Sequence, residues 1–459
     1  MSVSNLLNRE HPHLVFLPSG IGSLTPFFRL AVMVASSNCK VTFINIQPQA
    51  SSPELTQFSR FISNYQAIKL LDFEIHSQTP SKSTIRDPFI IHIENINSSL
   101  YQLNPILSSL QVSAIFSDFV IAATMAQIAE DLNIPLYIIS TTSALFFSTV
   151  AYLPVLIDED PCTFSNSSGK IEIPGLTPVP KSSIPPTWMH DSPSNYLLAA
   201  YLLPNARSLS KVKGFLLNTY EWFEPETMAA LKNGRILNTV FPVGPLQSYE
   251  PQKSHDFPWL NEQPAESVVY VNFGSREVLS TDQIRELGEG LEICGYKYLW
   301  VLKNEEKHDG GEFQELLTDS FLEGTEKTGR IIKGLVNHER VLAHPAIGGF
   351  VNQCEWDSIM LAAWYGVPIL TWPQHGDQKM NAETVEKAGL GILVNDWGWG
   401  GEKLVEGKEI GWRIKQIMGN VNIKKKAKIV REKAREACEI GGSSDKAFVK
   451  LLEKFCRRY

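Results

Sequence analysis

The sequence predicts an α/β protein built as two doubly wound parallel-sheet halves, and three observations carry that expectation. Short apolar runs rich in β-branched and aromatic residues alternate with helix-like segments. The runs are almost continuously apolar, as strands buried on both faces of a parallel sheet must be. The alternation also breaks at a linker-like stretch near 240–259 and then restarts. Open sheets of this kind bind ligands outside the carboxyl ends of their strands.

In order, HLVFLPSG (13–20), KVTFINIQ (40–47), SAIFSDFV (113–120) and PLYIISTT (135–142) read as strands, each followed by a helical stretch. From about Asp158 to Pro186 the chain is rich in Pro, Ser and Gly, which predicts a long loop. GFLLNTYEWF (214–223) restores a strand, and VFPVGPLQSYEPQKSHDFPW (240–259) has linker composition. The second series comprises SVVYVNFGS (267–275), KYLWVLK (297–303), GRIIKGLV (329–336), IGGFVNQ (347–353) and VPILTWP (367–373). IKKKAKIVREKAREACEI (423–440) has helical periodicity. The expected organisation is a first domain at 1–245, a linker at 246–260, a second domain at 261–440 and a terminal helix at 441–459 that packs back on the first.

The 459 residues are 43% hydrophobic and carry a formal net charge of −7. This acidic balance without a basic tract argues against nucleic acid as a partner, since such binding rests on clustered Lys and Arg. The N-terminal residues lack the basic and apolar regions of a signal peptide, and no run of about eighteen apolar residues predicts a membrane span. Six scattered cysteines, with no CxxC pair and no His at metal-ligand spacing, predict free thiols, no metal and a reducing, cytoplasmic location.

The stretch Leu335 to Gln378, LVNHERVLAHPAIGGFVNQCEWDSIMLAAWYGVPILTWPQHGDQ, resembles the signature box of plant family-1 UDP-sugar glycosyltransferases. The likeness runs along nearly the whole chain: PSGIGSLTPFFRLA near the start, DPF at 87–89, SDF at 117–119, LLNTYEWFE at 216–224, VNFGSREVLS at 271–280 and NAETVEKAGLGI at 381–392. Within that family, GSLTPF with DPF and HGDQ looks most like flavonoid and polyphenol C-glucosyltransferases. The resemblance implies a GT-B fold of two facing Rossmann-like domains, with the acceptor held by the first and a UDP-sugar by the second.

The family's base is a His in a GH-x-x-PF motif, oriented by an Asp that stabilises the developing imidazolium. Ser23 stands at the His position, and Ser cannot serve as a base near neutral pH without another base beside it. Asp118 matches the orienting Asp. Ser23 and Asp118 are therefore the catalytic candidates, and each also reads as a plain helix N-cap. In the donor box, Leu335 replaces the Trp that stacks on uracil and Gln353 the His that touches the diphosphate. Glu355 replaces a Gly, Asp357 an Asn, and Leu361 the Glu that holds the ribose hydroxyls; Glu277 follows Ser275 where relatives carry a small residue. Ser275, Ser358, Asp377 and Gln378 keep family identities, the last two at positions that hold sugar hydroxyls. Phe89, Phe119, Phe146, Phe147 and Trp188 supply aromatic surface for a planar acceptor, and as a stripe they also fit a core. His190 and His375 are lone histidines to which no base role is given.

Glu355 and Asp357 are expected to set like charge against an anionic diphosphate, each at a cost on the order of a few kcal/mol near 4 Å. The leading expectation is therefore a family member that has lost UDP-sugar transfer, needs no cofactor, and uses its pocket to cyclise, dehydrate or isomerise a small aromatic metabolite. Two alternatives stand beside it. One is an active O- or C-glucosyltransferase using a UDP-sugar at a rearranged donor site; the other is a noncatalytic metabolite-binding or partner-modulating protein. Association with other pathway enzymes stays open.

Overall fold

The computed structural model describes residues 11–20, 24–47, 65–76, 88–165, 169–189, 198–234, 236–246, 257–274, 279–302, 328–334 and 336–456. Within them the first half forms β1 (His13–Leu17), β2 (Lys40–Gln47), β3 (Ile68–Glu74), β4 (Ala114–Asp118) and β5 (Leu136–Ser140). A short antiparallel pair, β6 (Lys170–Ile171) and β7 (Val179–Pro180), interrupts the stretch read as loop, and β8 (Gly214–Leu217) and β9 (Val240–Pro242) complete the half. The second half contributes β10 (Val268–Asn272), β11 (Lys297–Leu302), β12 (Gly329–Lys333), β13 (Ile347–Asn352), β14 (Ile369–Thr371) and β15 (Gly391–Leu393).

Two parallel sheets result, in the orders β3-β2-β1-β4-β5-β8-β9 and β12-β11-β10-β13-β14-β15. In each, the chain winds outward in one direction, returns to the middle and winds outward in the other. The strand order reverses at β1/β4 and at β10/β13, and those two crevices are where such sheets receive ligands. Ser19, Gly20 and Asp118 lie at the first, and Gly274 and Gln353 to Glu355 at the second.

The central strands match their prediction because both faces are covered: β1, β4, β5, β8, β10 and β13 are buried almost throughout. β3 was not predicted. It is an edge strand in which only Ile68 and Phe73 are buried, so it lacks the continuous apolar run of its neighbours. β9 and β15 are too short to register a period. The strand expected over 214–223 stops at Leu217, where Asn218 leaves the sheet and its Oδ1 accepts from the Leu246 amide at 2.9 Å.

Helix ends follow ordinary capping chemistry. Ser280 accepts from the Gln283 amide ahead of the helix Thr281–Cys294, which ends on the left-handed Gly295 at φ 70°. Ser143 caps the helix Ala144–Glu159, whose first two amides also donate to the buried Glu224 carboxyl at 3.0 Å. The terminal helix Ser443–Cys456 lies against the first sheet. There Phe116 stacks between Phe16 (4.9 Å) and Tyr137 (5.3 Å) and meets the edge of Phe455 at 6.0 Å. Phe116→Ala empties the centre of this stack and is expected to cost about 3–5 kcal/mol of stability, read from the urea unfolding midpoint. A loss below about 1 kcal/mol contradicts the packing described.

Candidate active site

At the first crevice Asp118 ends β4 and is 6% exposed. Its Oδ2 accepts from Ser19 Oγ at 2.7 Å and its Oδ1 from the Val120 amide at 3.3 Å. It thus does cap the turn Phe119–Ile121, while its second oxygen faces the loop after β1. Ser23 lies outside the described residues, as do Ser275, Glu277, Leu335 and His190. Phe89 is the second residue of the helix Pro88–Ser99, its side chain outside the described set.

The remaining aromatic candidates fall into two contacts. Phe119 meets Phe147 edge-on at 5.7 Å, and Phe147 leans on Phe215 at 5.9 Å inside the core. Phe146, half-buried, packs on Trp188 at 5.5 Å, and Trp188 is also flanked by Phe164. Phe147 and Trp188 are buried in the core, and Phe146 is the more exposed member of the group.

At the second crevice β13 ends at Asn352, and Gln353, Cys354 and Glu355 lead into the helix Trp356–Tyr365. Cys354 adopts φ 76°, an uncommon left-handed conformation for a side chain that is fully buried. Opposite, Gly274 turns at φ 76° after β10. The Gln353 amide nitrogen occupies the space a Cβ on Gly274 would need, with a Glu355 carboxylate oxygen 3.3 Å from that same point. Gln353 is 1% exposed, and its Oε1 has no hydrogen-bond partner among the described residues.

One of the two acids expected to repel a diphosphate has a cation beside it. Asp357 Oδ1 lies 3.5 Å from Arg29 Nη1, and the other arm of the same guanidinium, Nη2, holds Glu339 Oε2 at 3.0 Å. Arg29 Nη1 also donates to the Leu246 carbonyl at 3.0 Å. Arg29 projects from the helix Leu24–Ala35 of the first half, whereas Glu339 and Asp357 begin helices of the second. The Asp357 charge is thus shared with a cation across the domain boundary. Glu355 and Asp357 also sit at a helix N-terminus, where the peptide dipoles favour negative charge. Leu361, in place of a ribose-binding acid, is 6% exposed and belongs to the core of the second half. Ser358 is half-buried in the first turn of that helix.

A second link crosses the cleft. Asp377 accepts from the Thr142 hydroxyl, which follows β5, and from Asn381 Nδ2 at 2.8 Å. Asn381 Nδ2 also reaches the Cys354 carbonyl at 3.1 Å, and its buried Oδ1 has no partner among the described residues. Gln378 turns inward: its Oε1 accepts from the amides of Gln374 (2.8 Å) and His375 (3.0 Å), fixing the loop before the helix. Trp356 Nε1 donates to the Asn218 carbonyl at 2.7 Å and so also joins the halves. Under the second sheet, His338 contacts Asn272 Nδ2 through Nε2 at 3.1 Å and Tyr270 Oη through Nδ1 at 3.2 Å. Burial pushes its pKa down to about 4, so the ring is neutral.

Residue types alone had not singled out Arg29, Thr142, His338, Glu339 and Asn381. For Arg29 a signal existed: it is the one charge in the apolar helix LTPFFRLAVMVA. Among the described residues no group of His, Cys, Asp and Glu is arranged to hold a metal, and no helix is long and apolar enough to cross a membrane.

Comparison with known proteins decides the family. The chain is 40% identical to UDP-glycosyltransferase 708G2 of Citrus unshiu over 97% of both chains. It belongs to the plant UDP-glycosyltransferases. UDP-glycosyltransferase CGT of Oryza sativa subsp. japonica is 37% identical over 96% of both, and the family described as UDP-glucoronosyl and UDP-glucosyl transferase matches residues 233–405. Among solved structures, that of LpCGTa in complex with UDP superposes with a TM-score of 0.84 at 36% identity, covering 97% of this chain and 99% of the other. TcCGT1 in complex with UDP gives 0.85 at 25% identity, covering 98% and 100%. The two sheets are the paired Rossmann-like domains of the GT-B fold.

His338 gives this site a pH signature. Its folded pKa lies below the unfolded value of 6.5, so stability present above about pH 6.5 is lost as pH falls toward about 4. The unfolding free energy of the wild type relative to His338→Gln is expected to drop by about 3 kcal/mol across that window, measured by urea titration at several pH values. A difference constant with pH contradicts the buried neutral ring.

Proposed function

We propose that this chain transfers a sugar from a UDP-sugar to a small planar phenolic acceptor, in the cytoplasm, through a donor site rebuilt around acidic side chains. The observation that carries this reading is the Thr142–Asp377–Asn381 cluster: the acid whose family position meets sugar hydroxyls is held at the cleft by groups from both domains. Beside it, the unpartnered Asn381 Oδ1 and Gln353 Oε1 are buried acceptors, each costing about 1–3 kcal/mol until a donor such as a hydroxyl reaches it. Arg29 lessens the electrostatic objection at Asp357, whose carboxylate has a cation at 3.5 Å that it shares with Glu339. Full-length similarity to UDP-glycosyltransferases supports the same reaction class.

In this reading Asp377 orients the sugar, and the helix Trp356–Tyr365 and the Gly274 turn face the diphosphate. Asp118 stabilises charge on the acceptor side, and the side chains of Phe119, Phe146 and Trp188 orient the aromatic ring. The acceptor's nucleophilic atom attacks the anomeric carbon as the bond to UDP breaks.

One observation favours a second reading, a donor-independent conversion of an aromatic metabolite in the same pocket. Gln353 fills the turn at Gly274, and Leu361 is committed to the core. Incubation with planar polyphenols, with and without UDP-glucose, separates the two by mass spectrometry. A hexoside formed only with UDP-glucose is expected, and Asp377→Ala is expected to lower kcat/KM about tenfold or more. A product isomeric with its substrate, or lighter by one water and formed without donor, overturns the transferase reading.

A further inference from the structure

With Ser23 in the place of the family's histidine, a transferase needs its base from elsewhere, and the described residues hold a candidate. His92 lies on the helix Pro88–Ser99, which packs against the turn Phe119–Ile121 immediately after Asp118. A Cβ built on Gly20, in the loop that follows β1, would stand 3.7 Å from His92 Nε2. The imidazole also hydrogen-bonds the backbone of Ser19, whose hydroxyl donates to Asp118 Oδ2 at 2.7 Å. His92, Ser19 and Asp118 thus form one connected group at the β1/β4 crevice.

We propose that His92 Nε2 is the general base that takes the acceptor's proton; this rests on the transferase reading above. Three features support it. Nε2 is buried and has no hydrogen-bond partner among the described residues, so the backbone bond to Ser19 falls to Nδ1. That bond puts the proton on Nδ1 and the lone pair on Nε2, the tautomer a base requires. Burial lowers the imidazole's pKa, which keeps the ring neutral and able to accept at physiological pH. The nearby carboxyl on the same helix, Glu94, is engaged by Tyr201 Oη at 2.5 Å. As a core histidine with no ligand, His92 would leave an orphaned acceptor at a cost of about 1–3 kcal/mol; a phenolic hydroxyl removes that cost.

The step balances. The phenolic O–H bond breaks and its proton passes to Nε2. An electron pair from the phenolate oxygen, or from the ring carbon ortho to it, forms the bond to the anomeric carbon. The anomeric C–O bond breaks, and its pair leaves on UDP. After attack by carbon, the ring regains aromaticity as the proton of that carbon moves to the adjacent carbonyl oxygen.

The test has two arms on the full-length protein. In turnover with UDP-glucose and 2,4,6-trihydroxyacetophenone, His92→Gln is expected to lower kcat by about a hundredfold or more, with UDP affinity unchanged by calorimetry. Retention of kcat within about threefold overturns the proposal. In the second arm, ring 15N signals of the wild type are followed while the polyphenol alone is added. The His92 Nε2 signal is assigned through the variant or, should that variant fail to fold, through contacts to Gly20. A shift at Nε2 is expected, and an unmoved Nε2 under saturating polyphenol overturns the proposal. A wild type that forms no hexoside defeats the transferase reading, and the nitrogen spectra then decide on His92 by themselves.

Discussion

Where the two halves of this protein meet, one guanidinium carries three contacts. Arg29 comes from a helix of the first domain, is itself nearly buried, and meets Glu339, Asp357 and the Leu246 carbonyl. Such an arrangement stabilises only while it is complete, because removal of the cation leaves two partly buried carboxylates uncompensated. The Thr142–Asp377 contact and the Trp356–Asn218 bond also cross between the halves.

The same pair changes what the acidic donor box means. In a site built for a diphosphate, a helix N-terminus presents unpaired amides and a partial positive charge. Here Glu355 and Asp357 place carboxylates at that helix start, and Gln353 leans into the opposing Gly274 turn. Arg29 is shared between Asp357 and Glu339, so the carboxylates around it outnumber the cation.

The fold was legible in the sequence wherever strands are covered on both faces, since continuous apolar runs such as LVFL and VVYVN have no other stable use in a chain of this composition. Edge elements were not, because β3 follows the half-exposed pattern of a strand with one open side. At the site, motif positions identified Asp118, Asp377 and Gln378, whose places at strand and helix ends follow from the topology. Pairings across the cleft could not be read. Arg29 and Asp357 are separated by most of the chain, and only the docking of the two sheets brings them together. The role of Gln378 was likewise hidden, as its carbonyl serves the amides of its own loop.

The proposed function requires that this cleft accept a nucleotide diphosphate beside Asp357, with Arg29 as the nearby cation. Calorimetric titration of the wild type with UDP tests that most directly. The account predicts saturable binding with a Kd on the order of 10–100 μM, about 5.5–7 kcal/mol, weakened by about tenfold or more in Arg29→Met. Absence of binding to the wild type at millimolar UDP would contradict it.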